Sequence, residues 1–187
     1  MRFALLIISL LLSQKLWSAT CNDVTMPDSV NIKSKDLVLN GMGTRKATWL
    51  KVKVYVGGLY LSKKTTDADD ILSQPYPKYL RMHFVRDVDG KKLKEGWVEG
   101  FEAAVEFNTR NMLQAQIDQF VGMMEDVNKN DEIVLTFTDK GVEVDIKNKQ
   151  KGSIEGEKFS KALLSVWFVK ARDEGLRDGL QGVEKCN

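Results

Sequence analysis

The chain has 187 residues, with 28 Lys and Arg against 26 Asp and Glu, one His and two Cys. That length fits one domain with a sizeable core. Charge so evenly balanced argues against nucleic acid as the main partner, and one His with two distant Cys leaves no ligand cluster for zinc.

Residues 1–19 read as an export signal. Arg2 gives a positive start, Ala4 to Leu12 is apolar apart from Ser9, and the segment closes on Ser18 and Ala19. The apolar run is about half of the ~20 residues a membrane-spanning helix needs, and no later run is longer. Ser18 or Ala19 would be the last residue removed. Ser18-Ala19-Thr20 does not match a lipoprotein signal, so a lipid anchor on Cys21 is not expected. Removal of the signal leaves 26 basic and 26 acidic side chains over residues 20–187. The expected location is periplasmic or secreted. In an oxidising compartment, paired thiols tend to join. A Cys21–Cys186 disulfide is therefore expected, worth roughly 4–5 kcal/mol in the chain-entropy model. The alternative is two free thiols, or a lipidated Cys21 with Cys186 free.

Asp36 to Thr44 opens on Leu37, Val38 and Leu39 and reaches Gly41-Met42-Gly43. Trp49 to Leu61 follows as a half-buried strand, with Leu50, Val52, Val54 and Val56 on one face and Lys51 and Lys53 on the other. Gly57-Gly58 within it marks a bulge or a close approach to the backbone. Thr66 or Asp67 is placed to cap a short helix through Leu72, which Pro75 and Pro77 end. Lys78 to Arg86 reads as a third strand. The period then changes. Leu93, Trp97, Phe101 and Ala104 recur at helical spacing, and Leu113, Ile117, Phe120, Val121 and Met124 form a second helical stripe. Glu132 to Phe137 and Val142 to Ile146 return to period two, joined by a short turn with Gly141 at positive φ. Lys147 to Ile154 reads as one more strand after a turn near Asn148. Phe159, Ala162, Leu163, Val166 and Trp167 mark an amphipathic helix, and Glu174 to Leu180 a weaker one. Strands cluster together and do not alternate one by one with helices. The expected class is α+β, an antiparallel sheet with helices on one face.

Obvious catalytic machinery is missing. His83 has no Gly-x-Ser-x-Gly elbow to serve and reads as a strand-face residue. Gly41-x-Gly43 lacks the third glycine of a dinucleotide fingerprint, and no P-loop is present, so no cofactor is expected. Asp69-Asp70 and Glu125-Asp126 read as helix-end or solvated charges.

One set of motifs does carry a pattern. Leu39-Asn40-Gly41-Met42-Gly43-Thr44-Arg45, then Lys51 to Leu61 ending in Gly58-Leu59-Tyr60-Leu61, resembles the early strands of the chalcone isomerase-like family. His83-Phe84-Val85-Arg86-Asp87, the helix Glu95 to Phe101 and the late helix Phe159 to Trp167 resemble later pieces, in the family's order and those of its exported bacterial branch. The resemblance implies an open-faced sandwich over residues 20–187, with a ligand cleft between sheet and helices. It also implies either of two activities: closure of a chalcone to a flavanone, or fatty-acid binding without catalysis.

Carried over residue by residue, the family's catalytic arginine matches Arg45, which would face an anion at the cleft. The enzyme's strand threonine falls on or near Tyr55, its helix tyrosine near Trp97, and its Thr/Ser-Met pair on Val166-Trp167. Trp97 has no phenol oxygen and Val166 no hydroxyl, so the arginine survives and most of the polar set does not. Arg45 and Tyr55 are thus the candidate catalytic residues. Arg45, Tyr55, Trp97, Val166 and Trp167 are the candidate ligand-binding residues. Trp97 and Trp167 sit on helical stripes, where aromatic residues normally pack as core, and Arg45 could simply cap a turn or pair with a surface acid. Three readings stay open: a non-catalytic binder of a small apolar ligand with an anionic group, an isomerase or lyase acting on an α,β-unsaturated carbonyl compound, and an interaction module without a small ligand.

Overall fold

The structure, a computed structural model, describes residues 18–47, 50–184 and 186. Residues 1–17, most of the expected export signal, lie outside it. Seven strands form one antiparallel sheet whose spatial order equals its sequence order: β3 (Ser29–Ile32), β4 (Lys35–Ala47), β5 (Val52–Leu61), β6 (Lys78–Phe84), β7 (Glu132–Phe137), β8 (Gly141–Ile146) and β9 (Lys149–Glu155). The sheet curls: Lys33, at the β3–β4 turn, reaches Glu143 of β8 at 2.7 Å. A two-stranded hairpin, β1 (Ser18–Cys21) and β2 (Val24–Pro27), precedes the sheet. The expected α+β class with helices over one face is what is found.

The helices enter between and after the strands. Helix α1 (Ala68–Ser73) joins β5 to β6; α2 (Gly90–Ala104), α3 (Phe107–Met112) and α4 (Gln114–Gly122) join β6 to β7; α5 (Glu157–Ser165) and α6 (Glu174–Leu180) follow β9. Asp67 caps α1 through the Asp70 N–H, as its sequence position suggests. Alternation sorts β6 cleanly: Leu80, Met82 and Phe84 are buried in the main core, while Tyr79, Arg81 and His83 are half-buried between them. His83 meets Glu132, which also takes Arg81 at 2.6 Å, so the lone histidine sits in an ion-pair cluster of the sheet.

Two cores result. The main one lies between sheet and helices and includes Leu59, Leu80, Phe84, Trp97, Phe101, Phe120, Phe159 and Leu163. A smaller one joins the β1–β2 hairpin to the sheet through Met26, Leu37, Leu39, Val56 and Tyr60. Ser18 and Ala19, read from the sequence as the end of the signal, pair here with Pro27 and Met26. Cys21 is bonded to Cys186, with Cα atoms 5.5 Å apart.

Glycines answer to close approach. A Cβ on Gly43 would strike the Leu176 carbonyl and one on Gly179 the Met42 carbonyl, so α6 lies directly on the β4 backbone. Gly58 makes room for the Met26 sulfur. The bulges of the region lie elsewhere. Asn40 is the extra residue of β4, and its buried amide donates to the Leu180 carbonyl at 2.8 Å and accepts from the Thr65 N–H at 2.8 Å. Val54 is the extra residue of β5.

Candidate functional site

The Val54 bulge is where the site begins. A bulge bends its strand and re-aims the neighbouring side chains, and here Val54 and its neighbour Tyr55 both reach one cavity. Register sets the rest of the floor. Arg45 of β4 lies opposite Tyr55 of β5, and Tyr55 opposite Phe84 of β6, so the three form one row across the sheet. Met82 and Ile133 extend the floor, Leu93, Trp97 and Gly100 of α2 form the roof, and Leu176 of α6 closes one side. The cavity holds about 600 Å³, within the usual range for small-molecule sites.

All five residues singled out as ligand-binding candidates line this one cavity: Arg45, Tyr55, Trp97, Val166 and Trp167. Two of them sit differently from the sequence expectation. Helix α5 ends at Ser165, so Val166 is its C-cap and Trp167 lies beyond it. Successive three-residue hydrogen bonds, from the Val166, Trp167 and Phe168 N–H groups to the Leu163, Leu164 and Ser165 carbonyls, carry both through a tighter turn that follows α5. Val166 packs so closely on α2 that a Cβ on Gly100 would meet its Cγ1. Trp97 and Trp167 are also core residues, 8 % and 4 % exposed. They meet edge to face with centroids 5.4 Å apart, and Trp97 meets Phe120 in the same way at 4.9 Å. Core and cavity wall are here the same aromatic cluster.

The polar groups of the interior are few. The Trp167 indole N–H donates to the Tyr55 hydroxyl at 3.2 Å. Burial pushes the Tyr55 phenol up to about 12, partly offset by that hydrogen bond. At neutral pH Tyr55 is therefore a neutral phenol. Its oxygen accepts from the indole and its own proton is left to donate to an oxygen in the cavity.

Arg45 is paired. Its Nη1 donates to the Lys46 carbonyl at 2.8 Å and to Asp173 Oδ2 at 3.3 Å. Asp173 is a busy carboxylate: Oδ2 also accepts from the Lys46 N–H at 2.6 Å, and Oδ1 accepts from the Leu176 N–H at 3.0 Å as the N-cap of α6. Among the described residues, Nε and Nη2 of Arg45 make no hydrogen bond. The adjacent Arg172 pairs in the opposite direction, with Glu99 of α2. Consecutive residues thus tie the segment between α5 and α6 to the sheet on one side and to the roof on the other. Arg86, Asp87, Asp89 and Lys92 complete the rim.

Sequence reasoning missed Asp173, Glu99 and Arg172. Asp173 proves to be the cap ahead of Glu174, a position the sequence reading did not single out, and its second role depends on α6 crossing β4, which no local pattern announces. Asp69 and Asp70 lie in the first turn of α1, and Glu125 takes Lys147 and Lys151, both far from any cleft role. Among the described residues no cluster of His, Cys, Asp or Glu is placed to hold a metal, and no helix is long and apolar enough to cross a membrane.

A curled antiparallel sheet, helices on one side and an aromatic cleft at the sheet–helix seam define the chalcone isomerase-like class. The family model described as chalcone isomerase-like matches residues 18–182, and the chain belongs to that family. Among solved structures, the Arabidopsis thaliana fatty-acid binding protein AtFAP1 superposes with a TM-score of 0.68 at 16 % identity, covering 89 % of this chain and 97 % of its own. At that identity the likeness is one of fold. No curated protein matches.

Proposed function

We propose that this protein is a non-catalytic binder of a small apolar ligand with an anionic group, held in the cleft beside Arg45. The observation that carries the reading is the cavity itself: about 600 Å³, walled by aromatic and aliphatic side chains, with a neutral phenol donor and a guanidinium on one strand row. Such a site suits a fatty-acid-like molecule, and the similarity in fold to a fatty-acid binding protein supports that choice. Asp173 balances Arg45 at rest, and the remaining N–H groups of the guanidinium are available to a carboxylate, with Tyr55 donating to its second oxygen. Trp97, Val166 and Trp167 pack against the apolar body.

The same reading places the protein outside the cytoplasm of a bacterium, after removal of residues 1–19 as a signal. The Cys21–Cys186 bond supports an oxidising compartment.

The test is native extraction, with mass spectrometry of what the protein carries, beside titration of wild type and Arg45→Ala with oleate. Wild type is expected to carry or bind the acid, and Arg45→Ala to bind it at least tenfold more weakly. Equal binding by both proteins removes Arg45 from the site. Absence of any apolar cargo and of oleate binding removes the ligand reading.

A further inference from the structure

We infer that Gly96 of α2 keeps open the passage by which the apolar ligand enters and leaves the cleft. The inference rests on the ligand reading above for what travels through the passage; the geometry of the passage is independent of it. Helix α2 contains Gly90, Gly96 and Gly100. Two of these have a packing reason. A Cβ on Gly90 would strike the backbone of Glu125 and Asp126, and one on Gly100 would meet Val166 Cγ1. Gly96 has no such reason: a Cβ there meets nothing within 4 Å beyond the helix's own backbone. Nor does its backbone call for glycine, since it is helical and its φ is not positive. A glycine inside a helix weakens that helix relative to alanine. Gly96 therefore weakens α2 with no close neighbour that requires it.

What the missing side chain leaves is an opening. Gly96 is exposed, yet it lines the cavity. So do Lys92, one turn before it, and Glu99, one turn after it, on the same side of the helix. Trp97 and Gly100 also line the cavity and are buried. Helix α2 thus supplies both an inner wall and a rim, and the rim runs along Lys92, Gly96 and Glu99. Across from it lies the segment between α5 and α6. Arg172 of that segment bonds Glu99 and so spans the rim one turn beyond Gly96. At Gly96 itself nothing from the opposite side comes within 4 Å of where a Cβ would stand. Helical side chains lean toward the N-terminus of their helix, so a larger residue at position 96 would lie over Lys92 and Leu93. Both of those residues border the cavity. A large side chain there would narrow the mouth without entering the aromatic wall.

The experiment is stopped-flow binding of oleate to the full chain, with the melting temperature measured beside it. Gly96→Ala is expected to raise Tm by about 2–4 °C and to bind oleate as wild type does. Gly96→Phe is expected to slow association and dissociation roughly tenfold each and to leave the equilibrium affinity within about threefold, because a narrowed passage raises one barrier that is crossed in both directions. Val98→Phe, at an exposed position of α2 outside the cavity lining, is expected to change neither rate. Unchanged rates in Gly96→Phe, an equal slowing in Val98→Phe, or a Gly96→Phe defect confined to affinity with association as fast as in wild type overturns the inference. A fall in Tm for Gly96→Ala also overturns it, since the glycine would then be required by packing. Wild type that takes up no oleate removes the ligand reading and the passage with it. Wild type that binds oleate beside a Gly96→Phe that binds it equally fast removes the passage alone.

Discussion

Tyr55 joins two functions in one hydroxyl. Its oxygen satisfies the buried Trp167 indole, and its proton is left to donate to an oxygen in the cavity that Tyr55 lines. Tyr55→Phe leaves that indole N–H without an acceptor and is expected to cost about 1–3 kcal/mol, read from urea unfolding. Its loss should also weaken ligand binding more than the volume change alone allows. Lys78 is a different kind of residue. It is buried on β6 beneath α1, its ammonium donates to the Leu72 carbonyl at 2.8 Å, and it stands 4.9 Å from the Tyr76 ring. Burial pulls its ammonium down from the ordinary 10.5 to about 8. The sign follows: between pH 8 and 10.5 the unfolded chain holds a proton that the folded chain has released, so stability rises with pH across that window. Above pH 10 the raised phenols of Tyr55 and Tyr60 act the other way, since only the unfolded chain then ionises them. Wild type should therefore gain stability from pH 8 to pH 9.5 by urea titration, and Lys78→Met should show a flat line. A rise of equal slope in both proteins would exclude Lys78 as its source. None of this was legible in the strand pattern, where Lys78 read only as the start of a strand. A lysine at an inward position carries no local signal of what caps it.

At the level of elements, periodicity did its work where one face was buried. Strands β4 to β8, the stripe of α2 and the stripe of α5 followed from spacing of apolar residues, and β9 from the turn near Asn148. Strands β1, β2 and β3 did not. Residues 18–32 hold short pieces in which Cys21, Val24 and Met26 are the buried members of the smaller core, and that core becomes visible only when Gly58 is known to face Met26. The Gly-x-Gly of β4 was legible as a motif but not as a reason; the reason is α6. Gly43→Ala places a Cβ against the Leu176 carbonyl, and backbone cannot swing aside as a side chain can. The variant should lose about 1–3 kcal/mol or more. It should also loosen the Asp173 cap at the start of α6 and with it the Arg45 pair. Thermal unfolding and oleate affinity should fall together; a fall in stability with unchanged affinity would show that the cleft does not depend on how α6 is seated. Val166 and Trp167 teach the same lesson, since a helical stripe places residues around an axis and cannot say that the axis ends at Ser165.

At the scale of the molecule, the sheet is a meander of neighbours while the C-terminal helix returns to the second strand of that sheet. The bond from Cys186 to Cys21 fixes this return. It spans a sequence separation of 165 residues. Cys186→Ser is expected to lower stability by roughly 2–5 kcal/mol, measured against wild type with and without reductant. Reduction should bring the two proteins to the same value.

That bond also changes the topology of the covalent object. From Cys21 to Cys186 the chain is a closed ring. A single protease cut in an exposed stretch such as Ser62–Lys64 opens the ring into one linear piece and releases nothing. The nicked protein gains only the water of hydrolysis and separates on a denaturing gel only after reduction. Two cuts are needed before any part can leave, so loss of this domain to proteases in an oxidising compartment should follow second-hit kinetics.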